Sequence, residues 1–114
     1  MSGERMRRVD VAMRQVLGDA LAQELKDPRI GFVTVTDVKT SSDLRHARVY
    51  VSVLGTDPEQ DATLDGLRSA HGFLQGRVAS ELRLKRTPEL TFELDVTAER
   101  AARLERLIEE AGGA

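Results

Sequence analysis

From Met6 onward, apolar side chains fall at Met6, Val9, Met13, Val16, Leu17, Ala20, Leu21 and Leu25. Spacings of three and four put them in one stripe, so the pattern predicts a long amphipathic helix. Asp27-Pro28 closes it, because a residue before proline is pushed out of the helical region, and Gly31 frees the chain to turn. The period then drops to two. Over Phe32 to Val38, Val33 and Val35 alternate with Thr34 and Thr36, which predicts a strand covered on one face only. TSSDL is a turn. From Arg45 to Leu54 the alternation returns, with Ala47, Val49, Val51 and Val53 inward and His46, Arg48, Tyr50 and Ser52 outward, so the two strands make a hairpin.

GTDPEQ, residues 55 to 60, supplies a loop glycine, an N-cap in Asp57 and a proline at the first helical position, where its missing N–H costs nothing. The helix that follows turns Leu64, Leu67 and Ala70 to the core. Phe73, Leu74, Val78 and Leu82 continue the stripe too far for one straight helix, so two helices are expected to meet at Ala70-His71-Gly72. LKRTPEL ends the second. Leu90, Phe92, Leu94 and Val96 then alternate with Thr91, Glu93 and Asp95 as a third strand. Thr97 caps a last helix with Ala101, Leu104, Leu107 and Ile108 on one side and AGGA as a frayed tail. At 114 residues, with no repeat or linker, the chain makes one domain. Its helices cover one face of a three-stranded sheet and leave the other wet, an α+β arrangement in two layers.

Gly72 carries a question of its own, because glycine inside a helix costs roughly 1 kcal/mol against alanine. Two readings stay open. The glycine lets a bent helix pack, or the bend leaves N–H groups at the start of the third helix free for phosphate, beside Arg68 and Arg77.

A net charge of -2 hides a segregation: residues 1–56, 57–66, 67–88 and 89–114 carry +2, -4, +4 and -4. Such asymmetry is compatible with a cationic face opposite an anionic one and equally with a well-solvated mixed surface, and charge alone leaves both readings open. Without cysteine there are no disulfides or thiolate metal sites, and a zinc centre would need convergent ligands where the chain has only two histidines, His46 and His71. There is no glycine-rich nucleotide loop. Ser41, Ser42, Asp43 and His46 are hydrolase residue types, but in a tight turn they read as turn formers. No catalytic residue, metal or cofactor is therefore expected. With no signal-like or membrane-length apolar run, the chain reads as a soluble cytoplasmic protein, and few exposed aromatics suit a monomer. Base stacking on the open sheet face is excluded, since Tyr50 is its single aromatic.

The αββααβ order with two helices meeting at a short glycine-bearing joint resembles a type II KH domain, whose joint is usually a GXXG loop gripping nucleic-acid backbone. This chain has AHG there. That departure, with RRVDVAMRQVLGDAL, KDPRIGFVTVTDV, SSDLRHARVYVSVLG, LRSAHGFLQGRVASEL and RTPELTFELD in this order, resembles the ribosome-binding factor A family over about residues 5–97, with a less distinctive helix over about 97–111.

The resemblance implies a single KH-like ribosome-binding domain without enzymatic activity or cofactor. Such a domain binds the free small (30S) ribosomal subunit and assists late maturation of 16S ribosomal RNA, including its 5′ end, often with a role in growth in the cold. Further partners it implies are ribosomal proteins and an assembly GTPase. The residues offer a means in their arginines and lysines, which bind phosphate. Arg5, Arg7, Arg8 and Arg14 crowd the first helix, Arg7 and Arg14 sharing a face. Lys26 and Arg29 bracket the DPR turn, Arg45 and Arg48 lie on the second strand, Arg68 precedes the joint, and Arg77, Arg83, Lys85 and Arg86 follow it. With Ala70 and His71 in place of glycines, recognition is expected to be of folded RNA shape rather than single-strand sequence. His71 reads either as an RNA contact or as a half-buried structural histidine. Two other readings remain: a protein-binding adaptor using the acidic last block from Glu99 to Glu110, and a general KH-type RNA-binding module.

Overall fold

The first stripe forms α1 (Ser2–Gln23), followed by β1 (Phe32–Thr40), β2 (His46–Leu54), α2 (Asp57–Ser69), α3 (His71–Leu82), β3 (Glu89–Leu94) and α4 (Thr97–Gly112). The computed structural model describes residues 2–112 and, apart from Ser2, Ala98 and Glu99, their side chains. Gly113 and Ala114 of the expected tail lie outside the described residues, as does the Glu99 side chain. The element order is the one the periodicities predict. β1 and β2 are antiparallel and β3 lies parallel to β2 on its other side, giving the order β1-β2-β3. A parallel pair needs a long crossover, which α2 and α3 supply. This is a type II KH-like arrangement with a fourth helix appended.

α1, α2 and α3 cover one sheet face. Met13, Leu17, Leu67, Leu74 and Val78 from the helices bury with Val38, Val49, Val51, Leu90 and Phe92 from the strands, all at most 3% exposed. The short axis of the molecule is 19 Å, about one helix layer on one sheet. The other sheet face is open.

β1 departs from simple alternation. Val35 pairs with Val51 and Asp37 with Tyr50, so Thr36 is an extra residue, a β-bulge. Past it the inward positions change from odd to even, which buries Val38 and turns Asp37 and Lys39 outward. Thr36, expected on the wet face, is half-buried. Its hydroxyl lies 2.6 Å from an Asp95 carboxylate oxygen and 3.2 Å from the Tyr50 carbonyl. The strand therefore runs two residues beyond Val38.

The start of α2 is also corrected. Thr56, not Asp57, is the N-cap: its hydroxyl accepts the Glu59 N–H while the Glu59 carboxylate accepts the Thr56 N–H, a capping box. Asp57 opens the helix and Pro58 stands second. Further along, α2 is pressed onto the Arg29–Gly31 turn. The buried Thr63 hydroxyl accepts the Gly31 N–H (3.3 Å) and lies within reach of the Glu59 (3.0 Å) and Arg29 (3.3 Å) carbonyls. At Gly66 an added Cβ would stand 2.7 Å from Ile30 Cγ1, so only glycine allows this approach.

The break between α2 and α3 falls at Ala70, one residue before His71 and two before Gly72. Ala70 holds φ -88° and ψ 9°, which any residue can adopt, and its N–H reaches the Gly66 and Leu67 carbonyls. Gly72 sits in the first turn of α3 with nothing within 4 Å of where a Cβ would stand. Neither the bend nor packing requires it.

α4 differs from the expectation as well. Thr97 is its first residue, with its N–H donating to Asp95 (2.9 Å). The stripe Ala101, Leu104, Leu107, Ile108 forms as predicted but stays exposed along its length.

Both outer strands are covered at their free edges by side chains. On β1, Asp10 accepts the Thr40 N–H (3.0 Å) and Arg14 reaches the Thr36 carbonyl (3.4 Å). On β3, the Gln75 amide donates to the Pro88 carbonyl (2.6 Å) and accepts the Leu90 N–H (3.2 Å), and Arg68 donates to the Phe92 carbonyl (3.3 Å).

Candidate nucleic-acid interface

The Asp10–Thr40 and Arg14–Thr36 contacts set α1 antiparallel to β1, so its first turns, with Arg5, Arg7 and Arg8, extend past the Thr40 end of the sheet. The β1–β2 turn stands at the same end and carries Arg45. It is held locally: the Ser41 hydroxyl donates to Asp43 (2.6 Å), which also accepts the Arg45 N–H (3.0 Å), and these donors keep Asp43 below the usual carboxylate range. Ser41 thus serves the turn, as the residue types implied. The α3–β3 loop returns beside it, the Glu89 N–H donating to the Arg45 carbonyl (2.8 Å). That loop carries Arg83, Lys85 and Arg86, Arg83 ending α3 in the left-handed region at φ 48°. Three segments distant in sequence therefore contribute cations to one end of the molecule.

The predicted arginines divide by environment. Among the described residues, Arg5, Arg7, Arg45, Arg83, Lys85 and Arg86 are exposed and make no ion pair, and Arg8 has one loose partner in Glu4 at 3.6 Å. Arg77 instead lies between Glu24 (3.0 Å) and Glu81 (3.2 Å) with its Nε buried and unpartnered, so its charge is neutralised within the fold. Arg68 and Arg14 cover the strand-edge carbonyls already described. Lys26 and Arg29 belong to the opposite end, where the DPR turn leads into Phe32. Lys26 is exposed there, while Arg29 closes onto Asp27 at 2.7 Å and holds that carboxyl at about 2. Exposed Phe32 and Leu54 and the acidic start of α2 make this second end apolar and anionic.

One cation escaped the sequence reading. Lys39, turned outward by the bulge, joins Ser41, His46, Arg48, Tyr50 and Thr91 around a shallow depression of about 500 Å³ on the open sheet face. It also joins Arg7, Asp10, Arg14 and Asp37 in a cleft of about 180 Å³ over the β1 edge. The shared face predicted for Arg7 and Arg14 is real, and Lys39 connects it to the sheet. No periodicity marks a bulge, so a strand read only to Val38 left this lysine out.

The Ala70-His71-Gly72 joint stands off the outer edge of β3. His71 is half-buried in a depression with Arg68, Leu90 and Glu93, and α3 begins without a side-chain cap. Among the described residues no group of three or more His, Asp or Glu side chains could hold a metal ion, and no helix is long and apolar enough to cross a membrane.

Comparison with known proteins agrees with this architecture. Ribosome-binding factor A from Thermus thermophilus superposes with a TM-score of 0.69 at 27% identity, covering 78% of this chain and 94% of that one. A candidate ribosome binding factor A from Thermotoga maritima, solved by solution NMR, gives 0.71 at 41% identity over 78% and 85%. A Thermus thermophilus RbfA homology model fitted into the cryo-EM map of a 30S–RbfA complex gives 0.64 at 28% over 75% and 90%. The family model for ribosome-binding factor A matches residues 5–108, nearly all of the described chain, and this protein belongs to that family.

Proposed function

We propose that this protein binds the free small ribosomal subunit in the cytoplasm and assists late maturation of 16S ribosomal RNA, including its 5′ end, by docking its basic end on folded rRNA. The observation that carries the reading is the convergence of α1, the β1–β2 turn and the α3–β3 loop, which gathers six unpaired cations at one end, while the other end holds Lys26 among acids and apolar groups. The neighbour fitted into a 30S complex supports the choice of subunit. Assistance on this reading is mechanical. Bound shape selects a conformation of the rRNA, and no bond is made or broken by the protein.

The joint favours folded RNA. Ala70 and His71 carry side chains where a GXXG loop would let single-stranded backbone come close. Neutralising about five phosphates makes affinity fall in log salt with a slope near -4. Ribosomal proteins at the docking site and an assembly GTPase that governs release are the further partners of this reading. The exposed α4 stripe favours a second reading, an adaptor for a protein partner. An apolar protein interface responds little to salt, so the slope separates the two.

Co-sedimentation with free small subunits and intact ribosomes tests the proposal, using the unsubstituted protein and an Arg83→Ala/Lys85→Ala/Arg86→Ala variant. Selective binding to free small subunits, lost in the variant, is the expected result. Pelleting with neither, or equally with large subunits, would sink it.

A further inference from the structure

The open sheet face carries an arrangement that the fold does not explain. Lys39 on β1, Arg48 on β2 and Thr91 on β3 stand in one cross-strand row, Lys39 directly opposite Arg48. Like charges directly opposite on an antiparallel pair destabilise it, and this row contains no carboxylate to offset them. Carboxylates stand in both neighbouring rows, Asp37 and Glu93 flanking Tyr50 on one side and Glu89 opposite His46 on the other. On the first side the Tyr50 phenol and then Glu93 act on Arg48, and Asp95 feels Lys39. Toward the turn, His46 and Ser41 line the depression, which is open to solvent, and Glu89 stands opposite His46 but outside that lining. Two cations forced together, hydroxyl groups beside them and a cavity above are the elements of an anion site. Lys39 also lines the cleft with Arg7 and Arg14, beside Asp37 and an Asp10 already engaged by Thr40, so cations continue over the β1 edge into the basic end.

We propose that the open sheet face is itself an RNA-contact surface. A ribose–phosphate strand crosses from Arg7 and Arg14 over the β1 edge to Lys39 and Arg48. The cations hold its phosphates, while Thr91 and the Tyr50 phenol are placed to hydrogen-bond its oxygens and 2′-hydroxyls. This rests on the rRNA-docking reading above and extends it from the end of the molecule to a face that does not include the helix joint. Base stacking plays no part, which accords with a single aromatic on the face.

The test compares the full chain with a Lys39→Ala/Arg48→Ala variant for affinity to purified free small subunits across a salt series, and maps amide shifts on adding a short RNA hairpin. The variant is expected to bind subunits at least about tenfold more weakly, with a salt slope shallower by about 2. It should melt no lower than the unsubstituted chain, because an opposed pair of like charges has been removed. Amides of Lys39, Arg48 and Thr91 should shift with the hairpin. If the unsubstituted chain binds while the variant binds equally well, the sheet-face proposal fails and the docking reading stands. The proposal also fails if the variant loses subunit binding but the hairpin leaves these amides unmoved, since the face then meets a ribosomal protein. If the unsubstituted chain binds neither probe, both readings fail.

Discussion

Gly66 and Gly72 stand six residues apart, one inside α2 and one in the first turn of α3, and have opposite surroundings. Gly66 is buried, with Ile30 so close that a methyl group would collide with it, and Thr63 one turn earlier ties the same turn to α2. Gly72 opens α3 into empty space, and the break beside it is made by Ala70. A glycine in a helix thus reports on the space around it more than on the backbone it belongs to. The position that looks odd in a sequence window is not the one that holds the fold. At the joint, Leu67 and Leu74, both fully buried, fix the two helices on the sheet.

Substitutions can break that contrast. Leu74→Ala should have the largest effect, destabilising by about 2–5 kcal/mol because it empties the core beneath the joint. Gly66→Ala should cost about 1–3 kcal/mol through forced displacement of Ile30. Denaturant titration of both variants checks the order, and a Gly66→Ala protein as stable as the unsubstituted one would remove the close-approach argument. Thr36→Val extends the comparison to the strand interruption and should cost about 1–2 kcal/mol by removing a hydrogen bond to a carboxylate. It also carries a pH signature. The Thr36 hydroxyl and Thr97 hold Asp95 at about 2, below its ordinary 3.8. A depressed carboxyl contributes stability above its unfolded value and loses it as the pH falls from about 4 toward about 2. Stability of the unsubstituted chain should therefore drop across that window, and Thr36→Val should flatten the drop in urea midpoints measured at its two ends. Smallest and opposite in sign, Gly72→Ala should stabilise by about 0.5–1 kcal/mol, since helix propensity improves and nothing is struck. A loss of stability there would show that the joint does need its glycine.

The order of elements was legible because each buried face imposes its own period, 3.6 on α1 and 2 on β2. The same logic fails at Thr36, where one extra residue reverses the faces without leaving a compositional mark. The capping box Thr56-x-x-Glu59 is written in the chain, but Asp57 and Pro58 beside it offered a competing start of similar chemistry. For α4 the stripe was visible and its exposure was not, since amphipathicity says which side is apolar and nothing of what covers it. Charge by sequence block was a fair guide to the two ends of the molecule yet grouped Arg77 with Arg83. The first is neutralised by Glu24, an acid 53 positions earlier in the chain, a partner that only tertiary packing can reveal.

The side chains lying along the two outer strands have a consequence for how copies of this protein meet one another. A three-stranded sheet with two free edges invites further strands to add on either side, and stacks of that kind grow without limit. Asp10 and Arg14 occupy the rim of β1, and Gln75 and Arg68 that of β3, so polar groups another chain would need are already taken. Gln75 satisfies a carbonyl and an N–H at once, as a neighbouring strand would. Strand addition at either edge therefore meets groups that are already engaged, while the sheet face between them stays accessible.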